Sequence, residues 1–337
     1  MAGMKSGGAK LKATLGGIGL LAAALMMSIQ PLAAQQKYPD RPVRVILPFG
    51  AGGVADVITR LVADKLGDKL GQRFVVENYP GPGGINAART ALQAPADGYA
   101  LTYMASATAM SVNLFERLPF DPVKDFTAIS SLGYFDLTFV TAQNSPYKTA
   151  GDFIKAAKEK PGQLNVGTIL AGSSQNLGVE LFKSTTGLDF AIVPFRSSGE
   201  VLVGLERNDV QLAAEFYPPV RGGIEAKKFI PVGTSGAKRT AYLPDVPTMK
   251  EAGAGDFIVT SWSGLFVRAG TPPEVIAILN AAMKDVLADP VIVKRALDLG
   301  VEMAGSTPQE LNERLVAEIP KWREVVDRAK IERRKGQ

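Results

Sequence analysis

The run from Val43 to Asp56 constrains the fold more than any other stretch of the chain. Val43, Val45, Ile46 and Leu47 read as a short buried strand. Pro48 and Phe49 lead into a turn built on Gly50, Gly52 and Gly53, and Val54, Ile58, Leu61 and Val62 then fall at i, i+4, i+7 and i+8, one apolar face of a helix. A strand that passes through glycines straight into a helix opens a βαβ unit, and so a mostly parallel sheet covered by helices on both sides. The same turn gathers backbone N–H groups and the positive end of a helix dipole at one point, which suits an anion.

Two anions fit. Gly50-Ala51-Gly52-Gly53-Val54-Ala55 satisfies the dinucleotide pattern G-x-G-x-x-G/A, and Glu77 closes the next strand 25 residues after Gly52, where a ribose-binding acid would stand. That reading predicts an NAD(P)-dependent enzyme. Pro48 and Phe49 lengthen the turn beyond that pattern, however, and the second glycine cluster, Gly81-Pro82-Gly83-Gly84, breaks it at Asn86. The other reading is the carboxylate of a small metabolite.

The N-terminus favours the second. Lys5, Lys10 and Lys12 precede an uncharged stretch that lasts until Lys37, apolar or small from Ala13 to Ile29, and Leu32-Ala33-Ala34 offers a small-residue cleavage site. This is the layout of a secretory signal cut near Ala34, with an uncleaved anchor as its alternative. An exported, periplasmic protein meets little NAD(P). Loss of residues 1–34 removes three lysines and no acid, so the formal charge falls from +5 to +2 and nucleic-acid binding has no compositional support. The chain has no cysteine and no histidine. Disulfides, thiol chemistry and a Ser-His-Asp triad are therefore excluded, and the commonest transition-metal ligand is missing. No cofactor or metal is expected.

About 300 residues remain after export, more than one core comfortably serves, which implies two domains. Strands are expected at Val43–Leu47, Phe74–Glu77, Leu101–Met104, Leu137–Thr141, Leu164–Gly167, Phe190–Phe195, Val210–Phe216 and near Thr260–Val267. Helices are expected at Thr149–Lys160, Ser174–Thr185 and Gly199–Asn208. The C-terminal part is helical, with Thr271-Pro272-Pro273-Glu274 and Thr307-Pro308-Gln309-Glu310 as helix starts. Pro320 predicts a kink near Trp322. Both tryptophans are read as packing residues.

Six further stretches carry a resemblance. They are Tyr38-Pro39-Asp40-Arg41-Pro42-Val43-Arg44, Pro48-Phe49-Gly50-Ala51-Gly52-Gly53, Glu77-Asn78-Tyr79-Pro80-Gly81-Pro82-Gly83-Gly84, Ala96-Asp97-Gly98-Tyr99, Leu243-Pro244-Asp245-Val246-Pro247-Thr248 and Gly270-Thr271-Pro272. In this order the chain resembles the Bug proteins, extracytoplasmic solute receptors of tripartite tricarboxylate transporters. The resemblance implies an α/β, two-lobed type II periplasmic-binding-protein fold with a central ligand cleft and no catalysis. The first lobe would be discontinuous, 35–137 plus 260–337, and the second would span 138–259. It also implies a monomer that binds a small carboxylate, such as a di- or tricarboxylate, an aromatic acid or an acidic amino acid. The receptor would deliver it to membrane permease subunits or present it to a sensor kinase. A surface adhesion protein without a closing cleft is a third reading.

In open α/β sheets the ligand sits beyond the carboxyl ends of the strands. The candidate loops are Phe49–Gly53, Asn78–Gly84, Ser106–Asn113, Thr168–Gln175 and Phe195–Gly199. They nominate Phe49, the backbone of Ala51, Gly52 and Gly53, Asn78 and Gly83 on one side. Ser106, Thr108, Ser173 and Ser174 offer neutral hydroxyls. Phe195, Arg196, Ser197 and Ser198 form the loop that, in the resembled family, pinches a ligand carboxylate against the first turn. Asn176 stands where that family often has histidine. Arg196 is either a solvated loop charge or a bidentate clamp for a second carboxylate. Asp56 is expected to hold the helix start or an interlobe contact. Glu215 either faces the cleft, favouring a ligand with an amine or hydroxyl, or forms a salt bridge near the hinge. Phe49, Phe195 and Tyr217 either sandwich an aromatic ligand or pack in the core.

Overall fold

The computed structural model describes Met1, Gly3 and residues 38–335. The signal-like leader and its cut site lie outside the described residues. The chain divides into two compact units, Met1–Asp40 and Arg41–Gln337, and every element named below belongs to the second. Among the described residues no helix is long and apolar enough to cross a membrane.

The first half of the fold opens as the glycine turn predicts. Strand β1 (Val43–Leu47) runs into helix α1 (Val54–Leu70) and on to β2 (Phe74–Asn78), which pairs with β1 in parallel. Val43, Val45, Ile46 and Leu47 are all fully buried, as in a parallel strand covered on both faces. A single 3₁₀ turn (Pro82–Gly84) and α2 (Ile85–Gln93) lead to β3 (Ala100–Ala105), on the other side of β1. Helix α3 (Ser106–Leu114) follows at once, where the sequence suggested a loop. Its buried face is made of Ser106, Ala109, Met110, Ser111 and Asn113, in which Met110 is the one large apolar residue, too little to give an apolar stripe to read.

Strand β4 (Phe126–Ala142) is 17 residues long and organises everything else. From Phe126 to Asp136 it pairs antiparallel with β9 (Thr260–Arg268), which lies between it and β3. From Leu137 to Ala142 it pairs instead with β7 (Leu212–Phe216) and β8 (Phe229–Thr234). Beyond β7 come β5 (Asn165–Ile169) and β6 (Ala191–Phe195), giving the order β2-β1-β3-β9-β4-β7-β5-β6. Short β10 (Glu302–Met303) adds to the first part of β4.

The second set of strands carries α4 (Ala150–Glu159), α5 (Ser174–Thr186), α6 (Ser198–Glu206) and α7 (Tyr217–Glu225). Its core is a ring cluster of Phe139, Phe153, Phe182, Phe190 and Phe257, with centroids 5.3 to 6.1 Å apart. Helices α8 (Pro273–Leu287), α9 (Pro290–Asp298) and α10 (Pro308–Arg328) return to the first set. Thr307 and Glu310 form the expected reciprocal cap of α10. Thr271 does not cap α8: Pro272 holds that position, and the Thr271 hydroxyl donates to the Arg268 carbonyl at 2.8 Å. Helix α10 continues through Pro320, and Trp262 and Trp322 are both buried.

The chain crosses between the two strand sets twice, at Asp136–Leu137 and at Val259–Thr260. Ser235 ties the crossings together. Its N–H donates to the Leu137 carbonyl (3.0 Å), its carbonyl accepts from Val259 N–H (2.8 Å), its hydroxyl accepts from Leu137 N–H (2.9 Å) and donates to the Val259 carbonyl.

Candidate ligand-binding site

The glycine turn is closed by the protein's own carboxylate. Gly52 takes φ +85°, a left-handed conformation that glycine adopts without strain. Asp56, in the first turn of α1, folds back so that Oδ2 accepts from Gly52 N–H at 2.9 Å. Arg60 donates through Nε to both carboxylate oxygens at 3.0 Å. The Asn78 amide bridges Asp56 Oδ1 and the Phe49 carbonyl, each at 2.9 Å. Asp56 is 3% exposed, and its acidity is held at about 2, first by Arg60 and then by the Gly52 and Asn78 donors, against the cost of burial. The place a phosphate would take at Gly52 is thus already filled. Gly52 N–H and Asn78, both nominated as ligand groups, are engaged here in holding the turn.

The anion-binding end survives one residue further on. Gly53 is the N-cap of α1 and makes no side-chain cap, so the first-turn N–H groups lack an intrahelical partner. Val54 and Ala55, in that turn, line a cavity of about 290 Å³. One wall comes from the first strand set: Phe49 and Tyr103, which meet edge to face at 5.7 Å, with Ile58, Ser263 and the loop Leu299–Val301. The other comes from the second: Gln175, Ser198, Glu215, Phe216, Pro218 and Pro219. Phe135, beside the first crossing, contacts Phe216 at a centroid distance of 5.1 Å and belongs to both. Four helix starts, those of α1, α5, α6 and α7, therefore converge on one apolar hollow. No lysine or arginine is among its lining residues.

Glu215, the penultimate residue of β7, lines this cavity and is 0% exposed. Oε2 accepts from the Gln175 amide at 3.1 Å, while Oε1 has no hydrogen-bond partner. Burial pushes its pKa up. Gln175, the Ser198 hydroxyl and the Phe216 N–H act against that rise. The Tyr103 phenol is pushed up to about 12 by burial, with Ser263 opposing.

Of the residues nominated from sequence, Phe49, Ser198 and Glu215 line the cavity, and Gly53 caps the helix that enters it. The others have local structural roles. Ala51 lies in the exposed turn. Gly83 takes φ +63° against Phe115. Ser106 accepts from Trp262 N–H at 3.1 Å, and Thr108 from Ala105 N–H at 3.3 Å. Ser173 caps α5 by accepting from Asn176 N–H at 3.1 Å, and Ser174 lies 3.4 Å from the Met110 sulfur. Ser197 caps α6 through Glu200 N–H at 3.3 Å. The Phe195 ring packs on Gly167 and Gly204 under α6. Arg196 is exposed and stands apart from the cavity lining, where the clamp reading would have placed it. Tyr217 sits on Gly300, and its ring packs tilted against Tyr242 with centroids 4.8 Å apart.

The sequence missed Tyr103, Phe135, Gln175, Ser263 and Leu299–Val301. Gln175 had a signal, as the residue just inside a Ser-Ser helix start. The Leu299–Val301 loop had none, because it reaches the cavity only through the packing of α9. A larger hollow of about 810 Å³, lined by Asp136, Tyr242, Glu302, Arg314 and Lys321 among others, receives no helix start and mixes both charge signs. The smaller cavity is the one the carboxyl ends of the strands address.

Two α/β halves joined by paired crossings, with a cavity lined from each, are the two-lobed fold of periplasmic binding proteins. Residues 58–331 match the family model described as tripartite tricarboxylate transporter family receptor. The chain belongs to that family. Protein BugT of Bordetella pertussis is 30% identical over 291 residues, 86% of this chain and 89% of BugT. Among solved structures, R. palustris Rpa4515 with adipate is 30% identical with a TM-score of 0.74, covering 88% of this chain and 100% of that one. MatC from Rhodopseudomonas palustris with bound malate is 30% identical with a TM-score of 0.69, covering 86% and 100%. The family is one of solute-binding receptors, not enzymes.

Proposed function

We infer that this protein captures a small carboxylate in the cavity between its lobes and passes it to the permease of a tripartite tricarboxylate transporter. The observation that carries this reading is the uncapped start of α1 opening into an apolar hollow of about 290 Å³. Orphan N–H groups there can hold a carboxylate without a cationic side chain. Hydrogen bonds to a charged group contribute about 1.5–3 kcal/mol each, and a micromolar complex needs about 8 kcal/mol, so a few such contacts with apolar burial suffice. The adipate and malate held by two relatives support the ligand class.

The lobes are taken as 35–137 with 260–337, and 138–259. A ligand touching both walls stabilises the closed arrangement by its differential affinity for it. Export with cleavage near Ala34, and action as a monomer, complete the reading. The ligand groups are the first turn of α1 with Gly53, Phe49, Ser198 and Glu215.

The test is a thermal-shift screen of the purified protein against mono-, di- and tricarboxylates, aromatic acids, acidic amino acids and NAD(P). A carboxylate at about 100 times its dissociation constant should stabilise the fold by about 2.7 kcal/mol. A response to NAD(P) with silence towards every acid would overturn the reading.

A further inference from the structure

Carboxylate capture at α1 leaves Glu215 unexplained. A receptor for anions carries a fully buried carboxylate in its own cavity, with Oε1 unpartnered. The groups around it are donors: the Gln175 amide, the Ser198 hydroxyl and the Phe216 N–H. They stand at the starts of α5, α6 and α7, whose positive ends favour a negative charge here. The second lobe's anion position is therefore occupied by the protein itself, much as Asp56 occupies Gly52. With no lysine or arginine among the lining residues, that charge has no partner in the cavity wall. A buried anion left unpaired is costly, and a second ligand carboxylate placed against it would add like-charge repulsion.

We propose that the ligand is a monocarboxylate bearing a protonated amine at its far end, with the carboxylate on the first turn of α1 and the ammonium on Oε1 of Glu215. This rests on the carboxylate reading above and narrows it. The α1 start and Glu215 give the cavity two poles of opposite sign, one from each strand set. A zwitterion matches both, and a dicarboxylate matches one.

The experiment is calorimetric titration at pH 7.5 with three chain-length series. These are 4-aminobutanoate, succinate and butanoate; 5-aminopentanoate, glutarate and pentanoate; and 6-aminohexanoate, adipate and hexanoate. The expected result is that in at least one series the amino acid binds at least tenfold tighter than both its dicarboxylate and its plain acid. In Glu215→Gln, which keeps the shape and removes the charge, that preference should fall below threefold. Equal or tighter binding of the dicarboxylate or plain acid throughout, or a preference that survives Glu215→Gln, would overturn the proposal and leave the carboxylate reading standing. Silence across all nine compounds would also overturn the proposal, while the carboxylate reading stands or falls on the wider acid panel above. The wild-type series decides the matter even if the variant folds poorly.

Discussion

Asp56 does at the scale of one residue what a bound anion would otherwise do. It neutralises the glycine turn, fixes Asn78 and Arg60, and keeps Gly52 N–H satisfied. Its pKa is lowered in the folded protein, from 3.8 to about 2. The stability it contributes is therefore present above the unfolded value and lost as pH falls through about 2. Asp56→Ala should cost about 2 kcal/mol in urea denaturation at pH 7, and the deficit should shrink as the titration approaches pH 2. The cost stays below that of breaking a fully buried pair because Arg60 is 45% exposed and can return to water. An undiminished deficit at low pH would assign the loss to packing instead. Glu215 shows the limit of reading residues from the chain. Its place at a strand end suggested both the cleft and a salt bridge, and only the convergence of three helix starts makes it a cavity wall.

Among elements, α1 offers the cleanest separation of binding from folding. Val54 is its first residue, and Gly53 before it is extended at φ −75°, ψ 169°. Proline is well tolerated at a first helical position, and an extended residue precedes it without strain. Val54→Pro should thus change stability by less than about 1 kcal/mol while deleting one N–H of the helix start whose residues line the cavity, weakening carboxylate binding by about tenfold or more. Titration of the best carboxylate against both proteins checks this. Unchanged affinity would move the anion site away from α1. Strand β1 and the helix after it were legible because their periods are clean. The first part of β4 was not, because bulges between Ala128 and Ser130 and between Ser131 and Gly133 shift its register and break the alternation that marks a strand. Helix α3 was hidden by Ser106, Ser111 and Asn113, polar residues whose hydrogen bonds are all local or to the packed neighbour α10 or β9.

For the molecule as a whole, the two lobes are joined where Ser235 bonds to both crossings. Ser235→Ala leaves Leu137 N–H without its side-chain acceptor and the Val259 carbonyl without its hydroxyl donor. The expected cost is about 1–3 kcal/mol by thermal or urea unfolding. A change within about 0.5 kcal/mol, the ordinary range of a surface substitution, would show that the crossings hold without it. The fold class and the order of strands and helices were legible from periodicity and caps. The cavity was not, because it is assembled from segments far apart in the chain, and no local pattern records which of them meet.

The position of β9 has a consequence for how the chain comes together in time. It sits between β3 and β4, yet it follows the end of β4 by more than a hundred residues. As the chain emerges from its N-terminus, β3 and the first part of β4 are complete long before the strand that joins them exists. Each waits with a row of unpaired N–H and C=O groups, the kind of edge that recruits stray strands. The first lobe closes by insertion of a late strand into its middle, a long-range step that is slow by topology alone. In the second lobe β7 also enters between two earlier strands, β4 and β5, but only about 70 residues after β4 ends, a shorter wait. The interval between the two is the period in which this chain is most exposed to aggregation.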